Sequence, residues 1–210
     1  MSPQNITIPI SDTMLNGILT IPKNAKGLVV FVHGSGSGRL SSRNQYVANI
    51  LNQAGLATLL FDLFSDEEEL IDNVTREYRF DIPLLSMRLI EVTHWVADLN
   101  LSIAYFGAST GAAAAIIASV KTSKHIKAIV SRGGRIDLAS QYLPLTTCPT
   151  LAIVGSLDND VLNLNRQALE KMNCKHQLHI VQGATHLFEE SNCLQQVADE
   201  AKKWFLKYLI

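Results

Sequence analysis

Six short stretches of the chain are mostly continuous in apolar, often β-branched residues: 28–32, 57–61, 101–106, 126–131, 150–154 and 177–181. A strand covered by helices on both faces has this character, because neither of its sides meets water. Between these runs the apolar spacing changes to that of helices. Val47, Ile50, Leu51 and Ala54 share one face, with Gly55 where a helix C-terminus is closed. Leu85, Leu89, Val92 and Val96 form a second face, and Val197, Ala198, Ala201, Trp204 and Phe205 a third. Ahead of all of them, 5–10 and 14–21 flank Ser11-Asp12-Thr13, which predicts an antiparallel hairpin.

Strand followed by helix, repeated along the chain, predicts an α/β fold. The expected sheet has about eight mostly parallel strands, helices on both faces and the hairpin at one edge. No linker-like tract, repeat or low-complexity stretch divides the sequence, so residues 1–210 are expected to form one domain. Ser65 precedes four acidic residues, Asp66 to Glu69. That run fits a capped helix start, where carboxylates meet the positive end of the backbone dipole.

Composition narrows the partners. The chain is 47% hydrophobic and 18% charged, with a net charge of −1. Such a balance gives no attraction to nucleic acid or to an anionic membrane surface. No apolar run approaches the ~18 residues of a spanning helix, and MSPQNITIPI lacks the basic start and apolar stretch of a secretory signal. Cys148, Cys174 and Cys193 show no CxxC spacing, so neither a zinc site nor a disulfide framework is expected. The expectation is a cytoplasmic protein acting on a small molecule, with a homodimer left open.

The chemistry is concentrated in GASTG, residues 107–111. By composition alone a G-x-S-x-G appears in roughly one chain in fifteen of this length. Here it stands between a predicted strand and a predicted helix over 110–120, the setting in which a sharp turn lifts a serine hydroxyl above the sheet. Ser109 is the candidate nucleophile. A serine hydroxyl needs a base to take its proton as it attacks, and histidine suits that task near neutral pH.

Of the six histidines, His94 falls within a helical pattern, His125 and His176 in polar loops before strands, and His179 inside a strand. His33 opens a glycine-rich loop. His186 follows the last predicted strand in Gly183-Ala184-Thr185-His186, at the C-terminal edge where ligands bind in such sheets. It is the candidate base. An acid must hold its tautomer, and Asp158, after the strand over 150–154, is chosen over Asp160 two residues on. A tetrahedral intermediate also needs two N–H donors. One is assigned to Thr110, directly after the serine. The other comes from His33-Gly34-Ser35-Gly36-Ser37-Gly38, most simply from Ser35, with Gly34 and Gly36 as alternatives. That loop lacks the Gly-Lys-Ser/Thr ending of a phosphate loop and the spacing of a dinucleotide site.

With these residues, the chain resembles the α/β-hydrolases, in particular the compact dienelactone hydrolase-like branch. The segments that carry the likeness are FVHGSGSG, LLFDL, YFGASTGAAAA, AIVSRGGRIDLA, LAIVGSLDNDV and VQGATHLFEE, spread from about residue 28 to the end. The resemblance implies Ser109, Asp158 and His186 as a triad, Ser35 and Thr110 as oxyanion donors, and no metal or organic cofactor. The enzyme that names the branch carries cysteine at the nucleophile position, where this chain has Ser109. What carries over is therefore cleavage of a small carboxylic ester, or a related thioester or lactone, through an acyl-enzyme.

The fold often holds a cap after its sixth strand, and residues 132–147 are too few for one. Arg132 and Arg135 leave that strand at the active edge, where structural ion pairs are the plainer expectation for them and contact of one with an anionic substrate group is the alternative. Acyl transfer to an acceptor other than water would use the same first half-reaction. A binding protein that keeps the fold without turnover is the alternative of a different class.

Overall fold

A computed structural model describes residues 2–210. Eight strands form one sheet: β1 (Gln4–Pro9), β2 (Met14–Thr20), β3 (Leu28–Val32), β4 (Ala57–Phe61), β5 (Ile103–Ala108), β6 (Ile126–Arg132), β7 (Thr150–Gly155) and β8 (His176–Val181). Their spatial order is β1-β2-β4-β3-β5-β6-β7-β8. β1 pairs antiparallel with β2, and β2 with β4. From β4 to β8 every pairing is parallel.

Six helices cover the sheet: α1 (Ser42–Gln53), α2 (Asp66–Thr75), α3 (Ile82–Ala97), α4 (Thr110–Lys121), α5 (Asn159–Leu169) and α6 (Cys193–Tyr208). Alternation along the buried strands decides which layer each side chain joins. Val29 and Phe31 of β3 meet Val47 and Leu51 of α1 and Val197, Ala201 and Phe205 of α6. Leu28, Val30 and Val32 turn the other way, to Leu85, Leu89 and Val92 of α3 and to the alanines of α4. The continuous apolar runs of the sequence are thus strands with two buried faces. β8 is more exposed, as befits the edge.

Local signals close the helices where the residues suggest. Ser65 Oγ accepts from the Glu68 N–H at 3.2 Å while Glu68 Oε2 accepts from the Ser65 N–H at 2.8 Å, a reciprocal cap. Glu68 also holds Arg88, which is 1% exposed, donates to the Leu63 carbonyl at 2.8 Å and lies 3.5 Å from Asp12. Gly55, just past α1, has φ 82°.

Two elements differ from the sequence expectation. β5 begins two residues later than the apolar run 101–106 and also ends two residues later, because Gly107 and Ala108 pair with Ser131 and Arg132 and carry the strand up to Ser109. After Asp158 the chain forms α5, whose asparagines and aspartate obscure the helical pattern of its buried Val161, Leu162, Ala168 and Leu169. Between β6 and β7 there are only two short 3₁₀ turns, Ile136–Ala139 and Leu143–Leu145, so no cap domain is inserted there.

Candidate active site

Ser109 sits at φ 48° and ψ −121°, between the end of β5 and the start of α4. Few residues other than glycine occupy that region, so the surrounding structure must over-determine the turn. Its neighbours show how. A Cβ at Gly107 would fall 2.6 Å from Ala112 Cα, and one at Gly111 would fall 2.2 Å from the Val32 carbonyl oxygen. The glycines are needed for close approach of backbones, and the alanines after them let α4 lie against β3. The Ser109 carbonyl accepts from the Arg135 N–H at 3.0 Å, and the Ser109 N–H donates to the Arg132 carbonyl at 3.3 Å.

The loops that end β7 and β8 are laced together. The Leu157 N–H donates to the Ala184 carbonyl at 2.9 Å, the Ser156 N–H to the Val181 carbonyl at 3.0 Å, and the Gly183 N–H to Ser156 Oγ at 2.8 Å. A Cβ at Gly155 would fall 2.2 Å from the Ala184 carbonyl oxygen. This contact sets Asp158 beside His186. The His186 Nδ1–H donates to Asp158 Oδ2 across 2.6 Å, which leaves Nε2 free to accept a proton. Asp160 lies exposed in the first turn of α5.

His186 and Ser109 both border the turn after β6. A Cβ at Gly133 would fall 3.3 Å from His186 Cε1, and the preceding residue bonds the Ser109 N–H. Among the described residues, no hydrogen bond joins Ser109 Oγ to the imidazole ring, whose Nδ1 is given to Asp158. Catalytic hydrogen bonds of this kind are often long before substrate arrives.

The glycine-rich loop packs on the serine turn, since a Cβ at Gly34 would fall 2.8 Å from Ser109 Cβ. Its conformation depends on His33, which nothing local in the sequence marks. The Leu63 N–H donates to His33 Nε2 at 2.9 Å, so the proton must be on Nδ1, which donates to the Gly34 carbonyl at 2.9 Å. Burial lowers the His33 pKa from its usual value, against smaller opposing effects of that carbonyl and of Asp62. The Ser37 N–H donates to the same Gly34 carbonyl at 3.2 Å. In a trans peptide the N–H points opposite to the C=O, so the Ser35 N–H turns away from His33. Thr110, the first residue of α4, has an N–H with no acceptor inside the helix.

The other candidate residues separate. His94 and His125 face one another with ring centroids 6.2 Å apart, His125 just before β6 at the opposite edge from Ser109. His176 Nδ1 lies 3.0 Å from the Cys174 carbonyl, and His179 Nδ1 lies 3.9 Å from Glu200 of α6. Arg135 gives its fork to Asp137, with both N···O distances 2.9 Å. Arg132 is buried, and its Nε and Nη1 have no hydrogen-bond partner. Cys148 is buried and its thiol is pushed up to about 12 by that burial, so it is inert.

No family model matches the chain. A dienelactone hydrolase from Anabaena variabilis is 48% identical, with a TM-score of 0.96 over 99% of each chain. Est1E from Butyrivibrio proteoclasticus shares the fold at 17% identity, with a TM-score of 0.82 over 97% of this chain and 98% of that one. Another structure of Est1E holds ferulic acid. A Mycobacterium tuberculosis protein with the provisional name phosphoribosyl transferase is 51% identical over 197 residues, 92% of this chain. The chain spans 44% of that relative, less than half its length.

Proposed function

Because the chain belongs to the α/β-hydrolase family, with a dienelactone hydrolase among its near relatives, we propose that it is a serine hydrolase of small carboxylic esters. Related thioesters and lactones fall within the same chemistry. The observation that carries this reading is the Asp158–His186 hydrogen bond of 2.6 Å on the sheet edge that also holds a serine at φ 48°.

In the proposed mechanism Ser109 Oγ attacks the acyl carbon while His186 Nε2 takes its proton. Asp158 holds the imidazole by Nδ1 and stabilises the imidazolium that forms. The N–H groups of Ser35 and Thr110 receive the oxyanion, Thr110 with the added field of α4 behind it. The imidazolium then protonates the leaving alcohol, which departs. Water, activated by the neutral His186, releases the acid and restores Ser109.

The transferase name belongs to the M. tuberculosis relative, which has more than half of its length outside the matched segment. Hydrolysis is tested with a panel of short-chain aryl esters, thioesters and lactones. Turnover of at least one class by the wild type, lost in Ser109→Ala, supports the reading. Turnover that survives in Ser109→Ala ends it. Added alcohols intercept the acyl-enzyme if acyl transfer is the natural second step.

A further inference from the structure

Ser109 and Thr110 share a peptide group, and so do Gly134 and Arg135. In a trans peptide the C=O and N–H point opposite ways, so whatever grips one end aims the other. The Arg135 N–H donates to the Ser109 carbonyl at 3.0 Å. The Gly134 carbonyl, on the far side of the same peptide, accepts from Asn165 Nδ2 at 2.8 Å. The Asn165 amide, the peptide 134–135 and the peptide 109–110 are thus joined end to end. The last group in this chain is the Thr110 N–H, which has no acceptor inside α4.

Asn165 lies in the middle of α5 and is fully buried. Nδ2 gives its second proton to the Val161 carbonyl at 2.8 Å, one turn back in the same helix, while Oδ1 is buried without a partner. An orphaned acceptor costs stability, and a leucine would fill similar space without it. Turning the amide over would set Oδ1 against two carbonyl oxygens, so the acceptors fix its orientation. The side chain is therefore kept for its donors, and only one of these reaches outside α5. The peptide it grips lies flat on the nucleophile turn. A Cβ at Gly134 would fall 2.6 Å from Ala112 Cβ and 1.9 Å from Ser131 Oγ. No side chain at 134 can fix the tilt of that peptide, and Asn165 supplies the fixed point.

We propose that Asn165 is a positioning residue for the Thr110 oxyanion donor, acting through two peptide groups, a role that rests on the hydrolase reading for the oxyanion alone. Its grip on the Gly134 carbonyl directs the Arg135 N–H at the Ser109 carbonyl, whose second donor is the Ala112 N–H at 3.1 Å. The direction of that carbonyl sets the direction of the Thr110 N–H. Linked hydrogen bonds also polarise one another, so Thr110 donates more strongly when the chain is complete. Both effects favour the tetrahedral intermediate over the bound ester.

Two substitutions break the chain differently. Asn165→Leu removes both donors at similar volume. Asn165→Ser keeps a hydroxyl that can return to the Val161 carbonyl but is too short to reach Gly134, and it decides the matter if the leucine variant does not fold. Leu169→Ala, also buried on α5, controls for simple loosening of that helix. Loss of a direct oxyanion donor costs about 10²–10³-fold in kcat. Weakening one through two peptides should lower kcat about tenfold in both Asn165 variants, with KM within about twofold. An aryl trifluoromethyl ketone, which adds to the serine and places an oxyanion at the same donors, should show a Ki raised by the factor that kcat/KM falls. Leu169→Ala should lower Tm and leave kcat within about threefold of wild type. A ketone Ki unchanged in the Asn165 variants, or a kcat as low in Leu169→Ala, overturns the proposal.

A second arm needs no turnover. In ¹H–¹⁵N spectra of either Asn165 variant the Arg135 amide proton should move upfield as its bond to Ser109 weakens, and the Thr110 amide proton should move with it. The Leu28 amide, bonded to the Ser102 carbonyl at the opposite edge of the sheet, should stay. Shifts confined to α5 and Gly134 overturn the proposal. Coupled shifts at Arg135 and Thr110 in a protein that cleaves no ester leave the hold of Asn165 on Thr110 standing and sink the hydrolase reading instead.

Discussion

Asp158 Oδ2 and His186 Nδ1 lie 2.6 Å apart although 28 positions separate them in the chain. The contact exists because the loops ending β7 and β8 are bonded to one another, and because Gly155 admits the Ala184 carbonyl where a side chain would stand. Removing the charge while keeping the shape tests what the pair does. Asp158→Asn should lower kcat on the order of 10⁴-fold with little change in KM, because the imidazole loses the partner that sets its tautomer. Asp160→Asn, altered on an exposed turn of α5, should stay within about threefold of wild type, as surface changes far from the chemistry do. Steady-state kinetics on one aryl ester checks both.

The serine turn makes a separate demand on stability. At Gly111 an added Cβ would meet the Val32 carbonyl oxygen at 2.2 Å and the His33 carbonyl oxygen at 2.4 Å, and both are backbone that cannot step aside cheaply. Gly111→Ala should therefore destabilise by at least about 2 kcal/mol, in the range of overpacked cores. For a chain of this size that is a fall in Tm of roughly 4–8 °C. An alanine variant within 1 °C of wild type would show that α4 can move away from β3 at little cost.

His33 gives stability a defined dependence on pH. Its folded-state pKa lies below the usual 6.5, chiefly because it is buried. As pH falls below 6.5 the unfolded chain takes up a proton that the folded one refuses. Stability contributed by this group is complete above that pH and is lost as pH falls towards the folded value. The slope is at most about 1.4 kcal/mol per pH unit for one proton. Urea unfolding of wild type and His33→Asn between pH 8 and 5 checks it. The wild type should lose stability more steeply than the variant, and equal slopes would remove His33 as the cause.

Much of this was legible in the sequence where a residue's job is local. The runs 28–32 and 57–61 are strands because both of their faces are covered, and Ser65 with Glu68 encodes its own cap. Gly107 and Gly111 mark the backbone approach that the turn at Ser109 requires. The pairing of Asp158 with His186 was reachable because each follows a strand at the same sheet edge. What the sequence hid depends on contacts between distant segments. Nothing local marks His33 as the residue that turns the Gly34 carbonyl, since its partner Leu63 lies 30 positions away. Arg132 and Arg135 look alike in Ser-Arg-Gly-Gly-Arg, yet one is paired with Asp137 and the other is buried alone. The helix α5 was obscured for another reason: its polar first turn resembles a loop until its buried face is packed.

Every step of the proposed chemistry requires Ser109 to be the activated hydroxyl. Reaction with a fluorophosphonate, followed by intact mass and peptide mapping, tests that most directly. A single adduct on residue 109, absent in Ser109→Ala and slowed on the order of 10³-fold or more in His186→Ala, is the predicted result. An adduct on another residue, or labelling of Ser109→Ala at the wild-type rate, would contradict it.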